Sequence, residues 1–213
     1  MSLIVNSKGE GSKFPPISEG SQRAVCYAVV DIGEQKVVFE KNERSVDQVV
    51  IIWELPDEVV ETDDGPIVRT ISKTYTKSLH EKSALYKDLR SWRGKEFTQE
   101  ELDAFDLKNI IGVPCLLNIV HKKKGDNVYA NIASIMALPK GMERPKLTRE
   151  PLIFDMDEAT EEDVGKLPEW LQRRVKDSLT WKYRMDERDA GGGSFKGPQF
   201  ESCDDFDDEN VPF

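Results

Sequence analysis

From Ser21 to Leu79 the chain runs almost entirely in period two, so three long strands must be accommodated before any helical pattern begins. In Ile67 to Leu79 the even positions Val68, Thr70, Ser72, Thr74, Thr76 and Ser78 are small or β-branched. The odd positions display Arg69, Ile71, Lys73, Tyr75 and Lys77. In Ser21 to Ile32 the apolar set Ala24, Cys26, Ala28, Val30 and Ile32 falls on the even face, with Arg23, Tyr27 and Asp31 on the odd one, and Gly33 closes the run. A polar hairpin follows, extended over Lys36 to Glu40 and turning at Asn42 to Arg44. Val46 to Leu55 is apolar on both faces and stops at Pro56. Such a strand is either buried on both sides or shared between a core and a ligand surface. Asp64-Gly65 supplies the next tight turn. Strands that follow one another without a helix between them pair antiparallel, which removes βαβ architectures.

The period then changes. Leu85, Leu89 and Trp92 recur at helical spacing and Gly94 is the stop. Thr98 and Glu101 form a capping box for a second helical turn through Leu102. Phe105, Leu107, Ile110 and Ile111 lead through Gly112 and Pro114 into a strand at Cys115 to Val120. Lys122 to Asp126 is a hairpin turn, and Val128 to Leu138 returns as the fifth strand, ended by Pro139. Three strands, a helix and two strands predict a mainly β fold: the five-stranded oligonucleotide-binding (OB) barrel, with a helix between strands three and four. A split sandwich of the same strand count is the alternative.

Particular runs point further. "WELP" at Trp53 to Pro56, "SKTYTKSLHEKSALYKDLRSWRGKEFT" at Ser72 to Thr98, "FDLKNIIGVPCLLNIVH" at Phe105 to His121 and "YANIASIMALPKG" at Tyr129 to Gly141 resemble bacteriophage single-stranded DNA-binding proteins with this barrel. The resemblance covers most of residues 21 to 141. It implies a sequence-nonspecific coat on single-stranded DNA during phage replication or recombination, in the cytoplasm of the infected bacterial host. At the other end, DDFDDENVPF at Asp204 to Phe213 is similar to the tail of bacterial single-stranded DNA-binding proteins, an acidic segment closing on Pro-Phe. Asp204, Asp205, Asp207, Asp208, Pro212 and Phe213 carry that similarity. Their implied role is to dock replication or recombination proteins. Physically, a terminal ring beside a carboxylate suits an apolar pocket rimmed by Arg or Lys, and the acids steer it there.

Five regions are expected. Residues 1–20 form a flexible arm, with Pro15-Pro16 forbidding a helix, and 21–141 form the barrel. Residues 142–165 form an acidic linker. Residues 166–188 form a C-terminal helix, with Pro168 as its first residue and Leu171, Val175 and Leu179 as its apolar stripe. That stripe either folds back onto the barrel or leaves the helix to contact DNA. Residues 189–213 form a flexible tether, through Gly191 to Gly193, and the acidic docking tail.

A formal net charge of -10 argues against nucleic acid only if it is evenly spread. The first 149 residues balance 22 acidic against 22 basic residues, so the deficit lies in the linker and tail. Cys26, Cys115 and Cys203 are odd in number and form no C-x-x-C pair, which argues for a reducing compartment and against a zinc site or disulfide scaffold. No apolar run approaches the roughly 20 residues of a membrane span, and the first residues lack a signal-peptide core.

No catalytic constellation is legible, so no enzyme activity and no cofactor is expected. His80 and His121 stand alone, without H-x-x-x-H spacing, and neither a Walker loop nor a nucleophile elbow occurs. Asp63-Asp64 reads as turn chemistry rather than a metal pair. Binding is better served. Tyr27, Trp53, Tyr75 and Tyr129 are candidate rings for stacked bases, or packing residues within the sheet. Arg23, Arg69, Lys73, Lys77, Arg93, Lys95, Lys122, Lys123 and Lys124 are candidates for a phosphate track. A protein-binding scaffold of the replisome and a single-stranded RNA binder are the competing functions.

Overall fold

A computed structural model of the chain describes residues 14–39, 42–63 and 65–189. The fold is mainly β. β1 (Gly20–Phe39), β2 (Asn42–Thr62), β3 (Gly65–Thr76), β4 (Pro114–Lys124), β5 (Asn127–Ala137) and the short β6 (Leu152–Phe154) form one sheet. Its main path runs β3-β2-β1-β4-β5, every neighbour antiparallel. β6 adds in parallel to β1, with Val29 opposite Ile153. β3 and β5, the two ends of the path, approach each other, and α1 (Ala84–Arg93) packs against both. Among the described residues no helix is long and apolar enough to cross a membrane.

The first two strands are much longer than the predicted ones. Gly33 was expected to close a strand, but β1 continues through it to Phe39. At φ 65 the glycine takes up a register shift between Asp31 and Gly33, and the Asp31 carboxylate accepts from its N–H at 2.8 Å. Pro56 likewise does not end β2. It falls within the register shift between Leu55 and Val59, where no ladder hydrogen bond is asked of it. Asp64, half of the predicted turn, lies outside the described residues, as do the first 13 positions of the arm.

The two faces of the β1–β2 ladder enter different cores. Val49, Ile51, Trp53 and Leu55 join Ala24, Cys26, Leu117, Ile135 and the α1 residues Leu85, Leu89 and Trp92 in the first. Val50 and Ile52 join Ala28, Val30 and Ile32 in the second, so β2 is buried on both sides. What covers the second face is the chain after β5. The stretch expected as an acidic linker carries β6 and α3 (Glu161–Lys166), and buries Phe154, Met156, Ala159 and Val164. Most of its acids, Asp157, Glu158, Glu161 and Glu162 among them, are exposed between these apolar anchors, which is why its composition alone reads as a linker. The predicted C-terminal helix is two, α4 (Glu169–Asp177) and α5 (Leu179–Asp189), parted at Ser178. Pro168 is the N-cap of α4 rather than its first residue. Leu171, Val175 and Trp181 fold back onto the sheet.

Several sequence signals hold locally. Ser83 caps α1 and Gly94 ends it in the left-handed region, its N–H on the Arg90 carbonyl. Thr98 and Glu101 form the capping box of α2 (Gln99–Asp103). Thr160 and Asp163 form another at α3, where hydrogen bonds from Thr160 and Lys166 pull the Asp163 carboxyl down to about 2.

Gly33 also sits where α5 docks. A Cβ there would lie 2.9 Å from Thr180 Oγ1 and 3.0 Å from Met156 Cε, and Thr180 Oγ1 accepts the next N–H, from Glu34, at 2.9 Å. Gly33→Ala is therefore strained in φ and crowded against α5. A loss of roughly 1–3 kcal/mol is expected by chemical denaturation, whereas Gly125→Ala, at a similar φ of 61 but in open space, should lose less.

Candidate nucleic-acid interface

A stacking ring must present its face to solvent, and three of the four candidates do not. Trp53 is 0 % exposed, its ring centroid 5.8 Å from that of Trp92 inside the first core. Tyr75 is 2 % exposed and donates its hydroxyl to Asp88 Oδ2 at 2.8 Å. Burial, reinforced by the Asp88 charge, holds its phenol well above the ordinary tyrosine range. Tyr27 is 8 % exposed in the second core, with the Arg149 guanidinium 5.7 Å from its ring. These rings are packing residues. The odd face of β3, expected to meet DNA, turns inward because it is the face with Ile71 and Tyr75, the bulky apolar pair that closes the first core.

Most of the candidate cations are likewise engaged. Arg23 forks onto Asp57 at 2.6 and 2.8 Å and reaches Glu143 at 3.3 Å. The fork raises the Arg23 pKa and lowers that of Asp57. Lys73 shares Asp88 Oδ2 with Tyr75, at 2.7 Å. Lys77 pairs with Asp31 at 2.5 Å, in a cleft where Asp31, Asp106 and Asp155 outnumber Lys77 and Lys108. Such a cleft disfavours phosphate. Arg93 and Lys95 both hold Glu101, and the Arg93 guanidinium stacks 4.2 Å from the Phe97 ring centroid. Arg69 donates to the Pro15 carbonyl. These contacts tie loops and the N-terminal segment to the sheet.

The β4–β5 hairpin is exposed on both of its strands from Lys122 to Tyr129. Its register places Lys122 opposite Tyr129, Lys123 opposite Val128 and Lys124 opposite Asn127. All three lysines are exposed, and Tyr129 is 49 % exposed. Of the residues predicted for nucleic acid, this set alone combines an open ring with cations on neighbouring positions. The docking residues Asp204, Asp205, Asp207, Asp208, Pro212 and Phe213 lie outside the described residues, together with Cys203 and the glycine tether.

One functional-looking group escaped the sequence reading. Glu54 on β2 is 1 % exposed, accepts from Thr148 N at 2.8 Å and Thr148 Oγ1 at 3.0 Å, and pairs with Arg149 Nε at 3.4 Å. It pins the segment that leads to β6, a structural role. A glutamate within the apolar run Val49–Leu55 was the available signal.

Among the described residues no group of three or more His, Cys, Asp and Glu side chains is placed to hold a metal ion. Cys26 and Cys115 are free and buried, and burial pushes both thiols up, away from reactivity. His121 Nε2 lies 2.7 Å from the Ile17 carbonyl, a contact that holds the N-terminal segment. No protein-family model and no curated protein matches the chain.

The partition between core and surface rings is measurable. Trp53→Ala should cost about 3–5 kcal/mol in denaturant unfolding, and Tyr129→Ala less than about 0.5 kcal/mol. Equal costs would contradict this assignment of the two rings.

Proposed function

We propose that this protein is a sequence-nonspecific single-stranded DNA-binding protein built on the OB barrel. It coats exposed strand during phage DNA replication or recombination in the cytoplasm of the infected bacterial host. Its acidic tip at Asp204 to Phe213 recruits replication or recombination proteins.

The observation that carries the reading is the strand order. β1 pairs with β2 on one side and β4 on the other, β3 and β5 approach each other at the ends of the path, and α1 falls between β3 and β4. That order supports an OB barrel, a fold whose usual ligands are oligonucleotides and oligosaccharides. The exposed lysines and Tyr129 of the β4–β5 hairpin give it a surface suited to the phosphates and bases of a flexible strand. No catalytic step and no cofactor enters the proposal.

A different observation favours a protein-binding scaffold: the burial of Tyr27, Trp53 and Tyr75 leaves fewer open rings than the sequence suggests. One experiment separates the readings. Fluorescence anisotropy of labelled oligo-dT and oligo-U is followed with the full chain between low and moderate salt. Tight, salt-sensitive binding of oligo-dT is expected, and the affinity falls as salt releases the lysine contacts. Preference for oligo-U would move the assignment to RNA, and no binding of either at low salt would leave the scaffold.

The tail has a second predicted effect. As a polyanion it competes for the same lysines, and bound DNA frees it for partners. Deleting Asp204 to Phe213 should tighten oligo-dT binding at low salt, and the gain should shrink as salt rises. Unchanged affinity at low salt would remove the competition from the scheme.

A further inference from the structure

The outer surface of the sheet has two parts, and the described helices cover only one of them. Over β1, β2 and β3 lie β6, α4 and α5, with Arg174 of α4 donating to Thr74 Oγ1 of β3 at 2.8 Å and Gln48 Oε1 of β2 at 2.9 Å. This is the strand-two and strand-three side through which OB barrels commonly take their ligands. Of the described helices, α1 meets β5 only through the first core, from the inner side, and none is seated on the outer side of β4 and β5.

Directly paired residues of an antiparallel ladder share a face. Cys115, Leu117, Ile119, Ile132 and Ile135 point into the first core, so the intervening pairs point out. From one end these pairs are Leu116 with Met136, Asn118 with Ser134, and Val120 with Asn131. Lys122 with Tyr129 and Lys124 with Asn127 complete the face. None of these positions carries a carboxylate. The rows extend onto β1 through Ser21 beside Asn118 and Arg23 beside Leu116. At the Arg23 end the chain leaving β5 crosses, because Glu143 reaches Arg23 Nη1. That crossing segment brings three further exposed cations, Lys140, Arg144 and Lys146. With eight residue steps from Leu116 to Lys124, the face is about 27 Å long.

We infer that the strand of nucleic acid runs along this outer β4–β5 face and not over β2 and β3. The inference rests on the proposed function and specifies its site. Lys122 and Lys124 take phosphates, Tyr129 takes the face of a base, and Asn118, Asn131 and Ser134 supply uncharged hydrogen-bonding groups that any base or sugar can use. The paired β4–β5 positions carry cations at the hairpin end and no acid. The nearest acids are Glu19, whose carboxylate accepts from His121 N–H at 2.6 Å at the β1 edge, and Asp126 in the turn, so the strip along β4 and β5 itself favours a polyanion. The competing surface is the outer side of α4, which exposes Trp170 together with Arg173 and Lys176. There Glu169 and Asp177 stand among the cations, so the local charge cancels.

The test uses the full chain and fluorescein-labelled oligo-dT at several salt concentrations. Tyr129→Ala should weaken binding at least about fivefold. Ser134→Asp, which places an acid mid-face, should weaken it further at low salt than at high salt. Lys122→Gln should lower the slope of log affinity against log salt by about 0.7, the loss of one phosphate contact. The double variant Arg173→Gln with Lys176→Gln should stay within twofold of the parent. On the unmodified chain, photo-crosslinking with 4-thiothymidine oligonucleotides should label peptides of β4 and β5, a readout independent of any folding defect in a variant. Crosslinks confined to α4 and α5, or Tyr129→Ala and Ser134→Asp both binding as the parent does, would overturn the assigned face while leaving DNA binding intact. A parent chain that binds no oligonucleotide at low salt would overturn the function and the face together.

Discussion

The β1–β2 ladder is apolar on both faces, and one layer of structure cannot bury both. Val49, Ile51, Trp53 and Leu55 face the core closed by α1, while Val50 and Ile52 face the opposite way. β1 matches this with its register shift between Cys26 and Ala28, after which Ala28, Val30 and Ile32 all turn to the second face. Each large apolar side chain removed from water contributes about 1.5–3 kcal/mol, so leaving this face bare would be a large cost for a single domain. The chain after β5 is the answer to that cost. It lays Phe154, Met156, Leu171, Val175 and Trp181 over the exposed side.

Polar contacts fix where that cover sits. Hydrophobic burial is non-directional and would tolerate a sliding helix. A buried carboxylate is not tolerant, because without partners its desolvation is costly. Glu54 therefore holds Thr148 and Arg149 in one position, and Arg174 with Thr180 does the same further along. Gly33 leaves the room in which Thr180 and Met156 settle.

This arrangement reassigns most of the residues that look like ligand contacts. A tyrosine or tryptophan on an alternating strand can serve a base or a core, and the second layer decides for the core at Tyr27, as α1 does at Trp53 and Tyr75. Arg23, Lys73, Lys77, Arg93 and Lys95 meet carboxylates of other elements or turns, among them Asp57, Asp88, Asp31 and Glu101. The β4–β5 hairpin is exposed from Lys122 to Tyr129. Its three lysines and Tyr129 present their side chains to solvent.

Local grammar was legible from residues alone. The alternation of β3, β4 and β5, the helical spacing of Leu85, Leu89 and Trp92, the glycine stop at Gly94 and the capping box at Thr98 act within a few positions of themselves, and tertiary contacts only reinforce them. The mainly β class and the strand succession follow from those signals. The ends of β1 and β2 were not legible, since Gly33 and Pro56 are strand breakers in isolation and become bulges only when a partner strand runs past them. Nor was the order within residues 142–165, whose acids dominate the composition while a few apolar anchors decide its position. Which face of a strand meets water depends on what packs against it from far along the chain, and pattern within a strand cannot supply that. The sequence by itself determined which segments are strands and helices, through interactions a few residues long. Only the tertiary structure decided which rings are core and which cations are paired, because burial and ion pairing are set by neighbours on other elements, as when Asp31 of β1 meets Lys77 beyond β3, 46 residues on.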